Sequence, residues 1–248
     1  MGRTCLANYN CNNKIINQNL NERNSVAKLK LSKQGEELIK LYEEMASDGY
    51  QRNDGVKVEK AFSDFELRKF RNLCKEKLLI DKIKTVLDYG GGGSNWDEPN
   101  FEPSTGESAK QFFKLDQVTT FEPARNLLSK EKSDCVVCTD VLEHIFITDV
   151  PNVVNELFSL SENLLIINVA CYKAAAILPN GENAHITVRS PAWWKGVFDT
   201  VAMNYKNIEV MLICSNSFNS GIVFENMKSN DWYLSSKYTT ELKFKTFK

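Results

Sequence analysis

Apolar residues recur at two different periods along this chain, and the change of period divides it. From Ser32 to Met45 the positions Leu38, Ile39, Leu41, Tyr42 and Met45 repeat at helical spacing. A second helix is expected from Ser63, where Ser63-Asp-Phe-Glu66 has the form of a capping box and Phe65, Leu67, Phe70, Leu73, Cys74 and Leu78 follow. Gly49-Tyr50 and Asn53-Asp54-Gly55 between them read as loop. Beyond Lys84 the apolar runs shorten to strand length, at Lys84–Asp88, Val118–Phe121, Asp134–Thr139 and Leu164–Val169. The last is apolar without interruption, as a strand buried on both faces is. Helices are expected at Val141–Ile145, resuming at Val150, and from Pro191 to Val201, with proline at its first position. Ile208–Cys214 and Gly221–Glu225 complete the pattern as an antiparallel pair at a sheet edge. Strands alternating with helices predict an α/β fold with a mostly parallel sheet, an antiparallel edge hairpin and an N-terminal helical extension. Residues 1–30, rich in Asn, are expected as a flexible arm, 31–82 as a helical cap and 83–248 as a single ligand-binding domain.

The bulk numbers narrow the function classes. A net charge of −1 over 248 residues leaves no overall electrostatic footprint for nucleic acid, though Lys243, Lys245 and Lys248 could form a local patch. Seven scattered cysteines make a poor disulfide framework and suit a reducing compartment. Cys135-Val-Val-Cys138 has the form of a C-x-x-C motif but lies inside an expected buried strand, where two small hydrophobes are the plainer reading. No apolar run approaches the roughly 20 residues of a membrane helix. The first residues lack a signal-peptide core, and Leu6 stands where a myristoylation site wants Ser or Thr. A cytoplasmic protein with no membrane partner is expected.

Ligands of doubly wound sheets sit beyond the carboxyl ends of the strands. Three successive strand ends here carry Asp88 followed by Gly90, Gly91, Gly92 and Gly93, then Glu122, then Asp140 with Val141. Glycines allow close backbone approach to a ligand. An acid at the second strand end suits a pair of ribose hydroxyls, and one at the next suits a cationic amino group. Neither G-x-G-x-x-G nor G-x-x-x-x-G-K-[ST] occurs, which argues against dinucleotide and P-loop readings.

Val86-Leu-Asp-Tyr-Gly90-Gly-Gly resembles the first motif of class I methyltransferases dependent on S-adenosylmethionine (SAM), which share a Rossmann-like fold. Phe121-Glu-Pro-Ala124 and Asp134-Cys-Val-Val-Cys-Thr-Asp140-Val-Leu-Glu-His-Ile145 are similar to two further motifs of that family, in the same order. The likeness spans about residues 84–225 and implies SAM as cofactor, held by Asp88, Gly90, Gly91, Gly92, Glu122, Asp140 and Val141. The stretch from Asn168 through Asn183-Ala-His-Ile-Thr-Val-Arg-Ser-Pro-Ala-Trp-Trp194 resembles a bacterial and phage subgroup associated with capsule and other surface-glycan biosynthesis. That likeness implies a sugar, sugar nucleotide or glycan precursor as acceptor. Two departures stand out. Residues 123–133 are too few for the usual helix and third strand, so no adenine-binding acid is assigned. The long stretch between Asp88 and Glu122 leaves Asn95–Glu107 as an expected lid or substrate loop.

The chain's two histidines, His144 and His185, both fall in these stretches. Asp140, Glu143 and His144 stand at i, i+3 and i+4, on one face if helical, and His185 lies in the loop after the next strand. Two carboxylates and two imidazoles could hold a divalent metal with positions left for substrate oxygens. The pattern resembles the metal site of small-RNA 2′-O-methyltransferases and of ubiquinone-pathway O-methyltransferases. A metal-free site with His144 or His185 as general base, assisted by Glu143, is the second reading. A histidine that only caps a helix is the third. An RNA 2′-O-methyltransferase and a non-catalytic SAM-binding module remain alternatives to a small-molecule O-methyltransferase. Trp193, Trp194, Arg189, Tyr172 and Lys173 are further candidates for acceptor contacts, with core packing the plainer role for the tryptophans.

Overall fold

The computed structural model describes residues 30–59, 66–80, 82–205, 207–228 and 239–243. The arm expected over residues 1–29, the capping box begun at Ser63, and Lys245 and Lys248 lie outside them. Helix α1, Lys33–Asp48, starts where Ser32 Oγ accepts the amide of Gly35 and ends at Gly49, whose φ of 78° suits only glycine. Ser32 is itself fixed, since its amide and hydroxyl both donate to the Asp149 carboxylate at 2.8 and 2.7 Å.

The region expected as loop after Gly49 is a small hairpin, β1 (Tyr50–Arg52) with β2 (Lys57–Val58), and Asn53-Asp54-Gly55 is its turn. Its partner β7, Ala176–Ile177, comes from far along the chain and pairs with β1 antiparallel. Strands this short are held by such a distant partner, which local pattern does not reveal. Helix α2 covers Leu67–Ile80.

The remaining elements are β3 (Thr85–Tyr89), α3 (Ala109–Phe113), β4 (Gln117–Phe121), β5 (Ser133–Thr139), α4 (Val150–Leu160), β6 (Ser161–Ala170), α5 (Pro191–Ala202), β8 (Glu209–Ser217), β9 (Ser220–Lys228) and β10 (Thr239–Lys243). They build a seven-stranded sheet in the order β10-β9-β8-β6-β5-β3-β4. Strands β4, β3, β5, β6 and β8 are parallel, and β9 and β10 add antiparallel strands at one edge. The expected α/β fold with an antiparallel edge is therefore present, with β8 extending the parallel sheet and β10, not the hairpin, outermost. At the other edge the sheet stops at β4. Residues between β4 and β5 make one 3₁₀ turn, Pro123–Arg125, in place of a helix and a strand.

One face of the sheet packs on α2 and α3 through Phe70, Leu78, Phe112 and Phe113 against Val86, Cys135, Val137, Leu164 and Ile166. Helices α4 and α5 cover the other face, burying Leu157, Phe158, Trp194 and Phe198 completely or almost so. Because Cys135 and Cys138 are three apart on one strand, they point to opposite faces. Both are fully buried, and burial drives the Cys138 thiol well above its usual range, so the C-x-x-C is core packing.

A separate small core forms above the carboxyl ends of the strands. Leu38 and Met45 of α1 pack on Ala174, Leu178 and Ala184 of the long loop after β6. Helix α1 also lies against the Pro123–Arg125 turn after β4. It thus roofs the sheet edge from β4 across to the β6 loop, within a single unit spanning Leu31–Lys248.

The helix expected at Val141–Ile145 does not form. Asp140 has φ +59°, and Leu142–His144 is a single 3₁₀ turn closed by His144 N–H donating to Val141 O at 2.9 Å. Ile145 is already extended, and α4 begins only at Val150. The helical face through Asp140, Glu143 and His144 is therefore absent: Glu143 turns into the core, while Asp140 and His144 stay on the side of the site.

Candidate functional site

After β3 the chain goes out to β4, then crosses back to lay β5 on the other side of β3. The crevice where strand order reverses therefore lies between the carboxyl ends of β3 and β5, the place where such sheets bind ligands. Asp88, Gly90, Asp140 and Val141 all stand there. A β-carbon on Gly90 would come within 2.5 Å of Val141 Cγ2, and φ there is +77°, so the loop crosses the crevice only as glycine.

The glycine loop does not, however, turn its first amides outward as expected. The amides of Gly90 and Gly91 donate to Phe121 O at 2.7 and 3.3 Å, and Gly92 donates to Glu122 Oε2 at 2.8 Å. Glycines 90–92 thus act by letting the loop lie tightly on the end of β4. Glu122 accepts a second amide, from Ala124, at 3.0 Å through Oε1, so each of its oxygens keeps a lone pair. Burial raises the Glu122 carboxyl despite these bonds.

Asp88 is buried at 2% exposure, and its Oδ2 accepts from the Trp96 indole at 2.7 Å. The loop expected as a lid is accordingly fastened. Trp96 and Phe101 are buried, and Arg71 holds Glu102 at 2.7 Å. Burial pushes the Asp88 carboxyl from 3.8 to about 7, and the nearby Glu122 charge adds to the rise against the Trp96 bond. A carboxyl whose folded pKa is raised binds its proton more tightly folded than unfolded. Stability is then full below the unfolded value and falls as pH climbs through the folded one. Asp88→Asn keeps an acceptor for Trp96 and removes the charge. It is expected to gain about 1–3 kcal/mol at pH 8, less than the roughly 4 kcal/mol that the full shift represents, because the new amide N–H₂ is also buried. Urea denaturation at pH 4.5 and pH 8 checks this; an equal change at both values would show that the Asp88 charge is not the cause.

Across the crevice Asp140, His144 and His185 come together, with one donor atom from each lying within 4.8 Å of the others. His185 Nδ1 lies 2.6 Å from Tyr172 O, a carbonyl that can only accept, so Nδ1 carries the proton and Nε2 is bare. That bare Nε2 is 3.9 Å from Asp140 Oδ1. His144 Nδ1 lies 3.0 Å from Ala184 O, and the same logic leaves its Nε2 bare. The two rings meet edge to face at 4.8 Å. Burial and the His185 ring lower His144 to about 4, so the imidazole is neutral near pH 7, as a metal ligand must be. Asp140, with a side chain 40% exposed, supplies the carboxylate. Two imidazoles and one carboxylate, each imidazole oriented by a carbonyl behind it, form a donor set suited to a divalent metal with open positions.

Glu143, expected as a ligand or catalytic acid, is not part of this cluster. It is fully buried, and its Oε1 accepts the Ala170 amide at the end of β6, while Oε2 has no hydrogen-bond partner. Burial foremost, with the Asp140 charge, drives its carboxyl far above the ordinary range, so it is neutral. Tyr172 is half-buried, its ring edge to face with His185 at 5.8 Å, and Lys173 is exposed beside it. Trp194 is core, and Trp193 is half-buried beneath Arg189, which lies 5.9 Å over its ring.

One residue at this site carries no signal in the sequence: Tyr42, on α1. Its hydroxyl lies 2.8 Å from His144 Nδ1 and donates to Ala184 O at 2.7 Å. Only the three-dimensional packing of α1 brings it there.

No family model and no curated protein matches the chain. Among solved structures it is similar to an O-methyltransferase family protein from Burkholderia thailandensis, at 14% identity and a TM-score of 0.33, over 72% of this chain. The matched region spans just over half, 57%, of that protein. A likeness this remote has no bearing on chemistry, which rests on the atoms of the site. Among the described residues no helix is long and apolar enough to cross a membrane.

Proposed function

We propose that this chain is a SAM-dependent O-methyltransferase that methylates a hydroxyl or phosphate oxygen of a small molecule with the help of a divalent metal. The observation that carries the reading is the convergence of two bare imidazole nitrogens and the Asp140 carboxylate beside the crevice at the strand-order reversal. SAM in that crevice supplies the methyl group. Glu122, with a free lone pair on each oxygen, is placed for the ribose hydroxyls, and Asp88 and the Asp140–Val141 backbone line the opposite end. Asp88 gives independent support. Asparagine would hold Trp96 as well and avoid a buried charge, so an acid kept there against stability suits a ligand with a cationic group.

A metal held by Asp140, His144 and His185 would act as a Lewis acid on an acceptor oxygen and ease its deprotonation. The chain's own part is to hold that oxygen in line with the methyl group, which contributes much of the rate in such reactions. A sugar, sugar nucleotide or capsular-glycan precursor is the acceptor class we favour, on the likeness of residues 168–194 to surface-glycan enzymes. A cytoplasmic location fits acceptors of that kind.

Calorimetric titration with S-adenosylhomocysteine, with chelator and then with Mg²⁺, Mn²⁺ or Zn²⁺, tests the reading. Micromolar binding of the cofactor product and a separate metal isotherm that disappears in His144→Ala are the expected results. Cofactor binding with no metal isotherm would move the chemistry to a histidine base, and no cofactor binding would end the methyltransferase reading.

A further inference from the structure

We infer that Tyr42 is a positioning residue of the active site, acting through His144: its hydroxyl, delivered by the N-terminal helix, fixes the ring that presents Nε2 to Asp140 and His185. The inference rests on the metal-site reading above and adds to it a residue from outside the sheet.

The two histidines are held differently. His185 is fixed by a short bond to a backbone carbonyl, that of Tyr172, at 2.6 Å. His144 sits on a three-residue 3₁₀ turn with no side-chain cap, a weak element for holding a ring in place. Its Nδ1 meets Ala184 O at 3.0 Å and the Tyr42 hydroxyl, closer, at 2.8 Å. The hydroxyl donates its own proton to Ala184 O at 2.7 Å, so toward His144 it can only accept. The three atoms close a triangle in which Nδ1–H points to Tyr42 Oη and the Oη proton points to Ala184 O. Both protons are used, and the other tautomer of His144 would set an Nδ1 lone pair against the Ala184 carbonyl.

Packing alone does not call for this hydroxyl. The Tyr42 ring meets His144 edge to face at 5.3 Å, a contact that phenylalanine would make equally well. A buried hydroxyl costs stability unless it is bonded, and this one bonds the His144–Ala184 pair at 2.8 and 2.7 Å. The helix that carries it is fastened at its start by Ser32 on Asp149 and along its length by Leu38 and Met45 on the β6 loop. Tyr42 therefore ties three separate segments together at one imidazole: α1, the turn after β5, and the loop bearing Ala184 and His185.

The test uses the full chain and exploits its having only two histidines. Nitrogen-15 spectra of the imidazoles, assigned with His185→Ala, should show both rings protonated at Nδ1. In Tyr42→Phe the His144 Nδ1 signal should shift and broaden, as its proton turns from the hydroxyl to Ala184 O and the ring loses a support, while the His185 signals stay in place. Zn²⁺ affinity by calorimetry should fall by about 10–100-fold, the usual effect of losing a partner behind a metal-bound histidine. The melting temperature should hardly change. A wild-type His144 protonated at Nε2, or a Tyr42→Phe spectrum identical to wild type, would overturn the inference. A wild-type protein that takes up no metal defeats the metal reading instead, and the nitrogen shifts still decide the role of Tyr42.

Discussion

His185→Ala is expected to remove metal binding and to lower turnover by about 10²–10⁴-fold, with a modest loss of folding stability. The ring contributes one of the two bare Nε2 atoms in the cluster, and no other residue stands in its place among the donors. Losing a ligand itself must cost at least the roughly 100-fold that marks the upper range for losing a ligand's outer partner. The ring is buried and gives up its bond to Tyr172 O, so a stability loss of about 1–3 kcal/mol is expected alongside. Cofactor-product affinity should stay within a few-fold of wild type, since Asp88, Glu122 and the glycine loop are untouched. Single-turnover rates, a metal isotherm and a urea melt on one preparation check all of this. Full turnover with no metal bound would show that the cluster does not serve the reaction.

Glu143 is expected to divide cleanly between its two substitutions. Glu143→Ala leaves the Ala170 amide without its acceptor and opens a void beneath the site. An orphaned buried donor costs about 1–3 kcal/mol, and incomplete filling of the space adds more, so a loss of about 3–4 kcal/mol is expected. Glu143→Gln keeps the carbonyl oxygen, the shape and the neutral state that burial already imposes on the acid, and should lie within about 1 kcal/mol of wild type at neutral pH. It should also keep metal affinity and most turnover, because the side chain supports the end of β6 and lies beside Asp140 without adding a donor atom to the cluster. Equilibrium denaturation with parallel metal titration separates the cases. A Gln variant that folds normally but no longer binds metal would restore Glu143 as a ligand.

The two outcomes for Glu143 and His144 show where sequence pattern reaches its limit. The strand ends carrying Asp88 and Asp140 were legible because buried strands leave apolar runs that stop near an acid, and Glu122 because the β-branched edge strand Val118–Phe121 stops there. The shortened link between β4 and β5 was legible too, since eleven residues (123–133) cannot hold a helix and a strand. The i, i+3, i+4 spacing of Asp140, Glu143 and His144 misled because a residue in the left-handed region followed by one 3₁₀ turn uses the same spacing with different directions. Glu143 then falls inward and His144 outward. Gly90 and Gly91 showed that the backbone would turn tightly but not that Phe121 O would take their amides. Tyr42 read as one more apolar position of a helix stripe, and only the distant pairing of α1 with residues 144 and 184 gives it a partner.

That distance has a kinetic meaning. Tyr42 meets its partners across separations of 102 and 142 residues, and Ser32 meets Asp149 across 117, so α1 cannot dock until a long stretch of later chain has been made. Contacts of such long range form late in folding, and elements joined to the rest mainly by them open at lower free energy than the central strands. The side chains that α1 braces, His144 foremost, are then expected to order late in folding and to lose their order early when α1 lifts away.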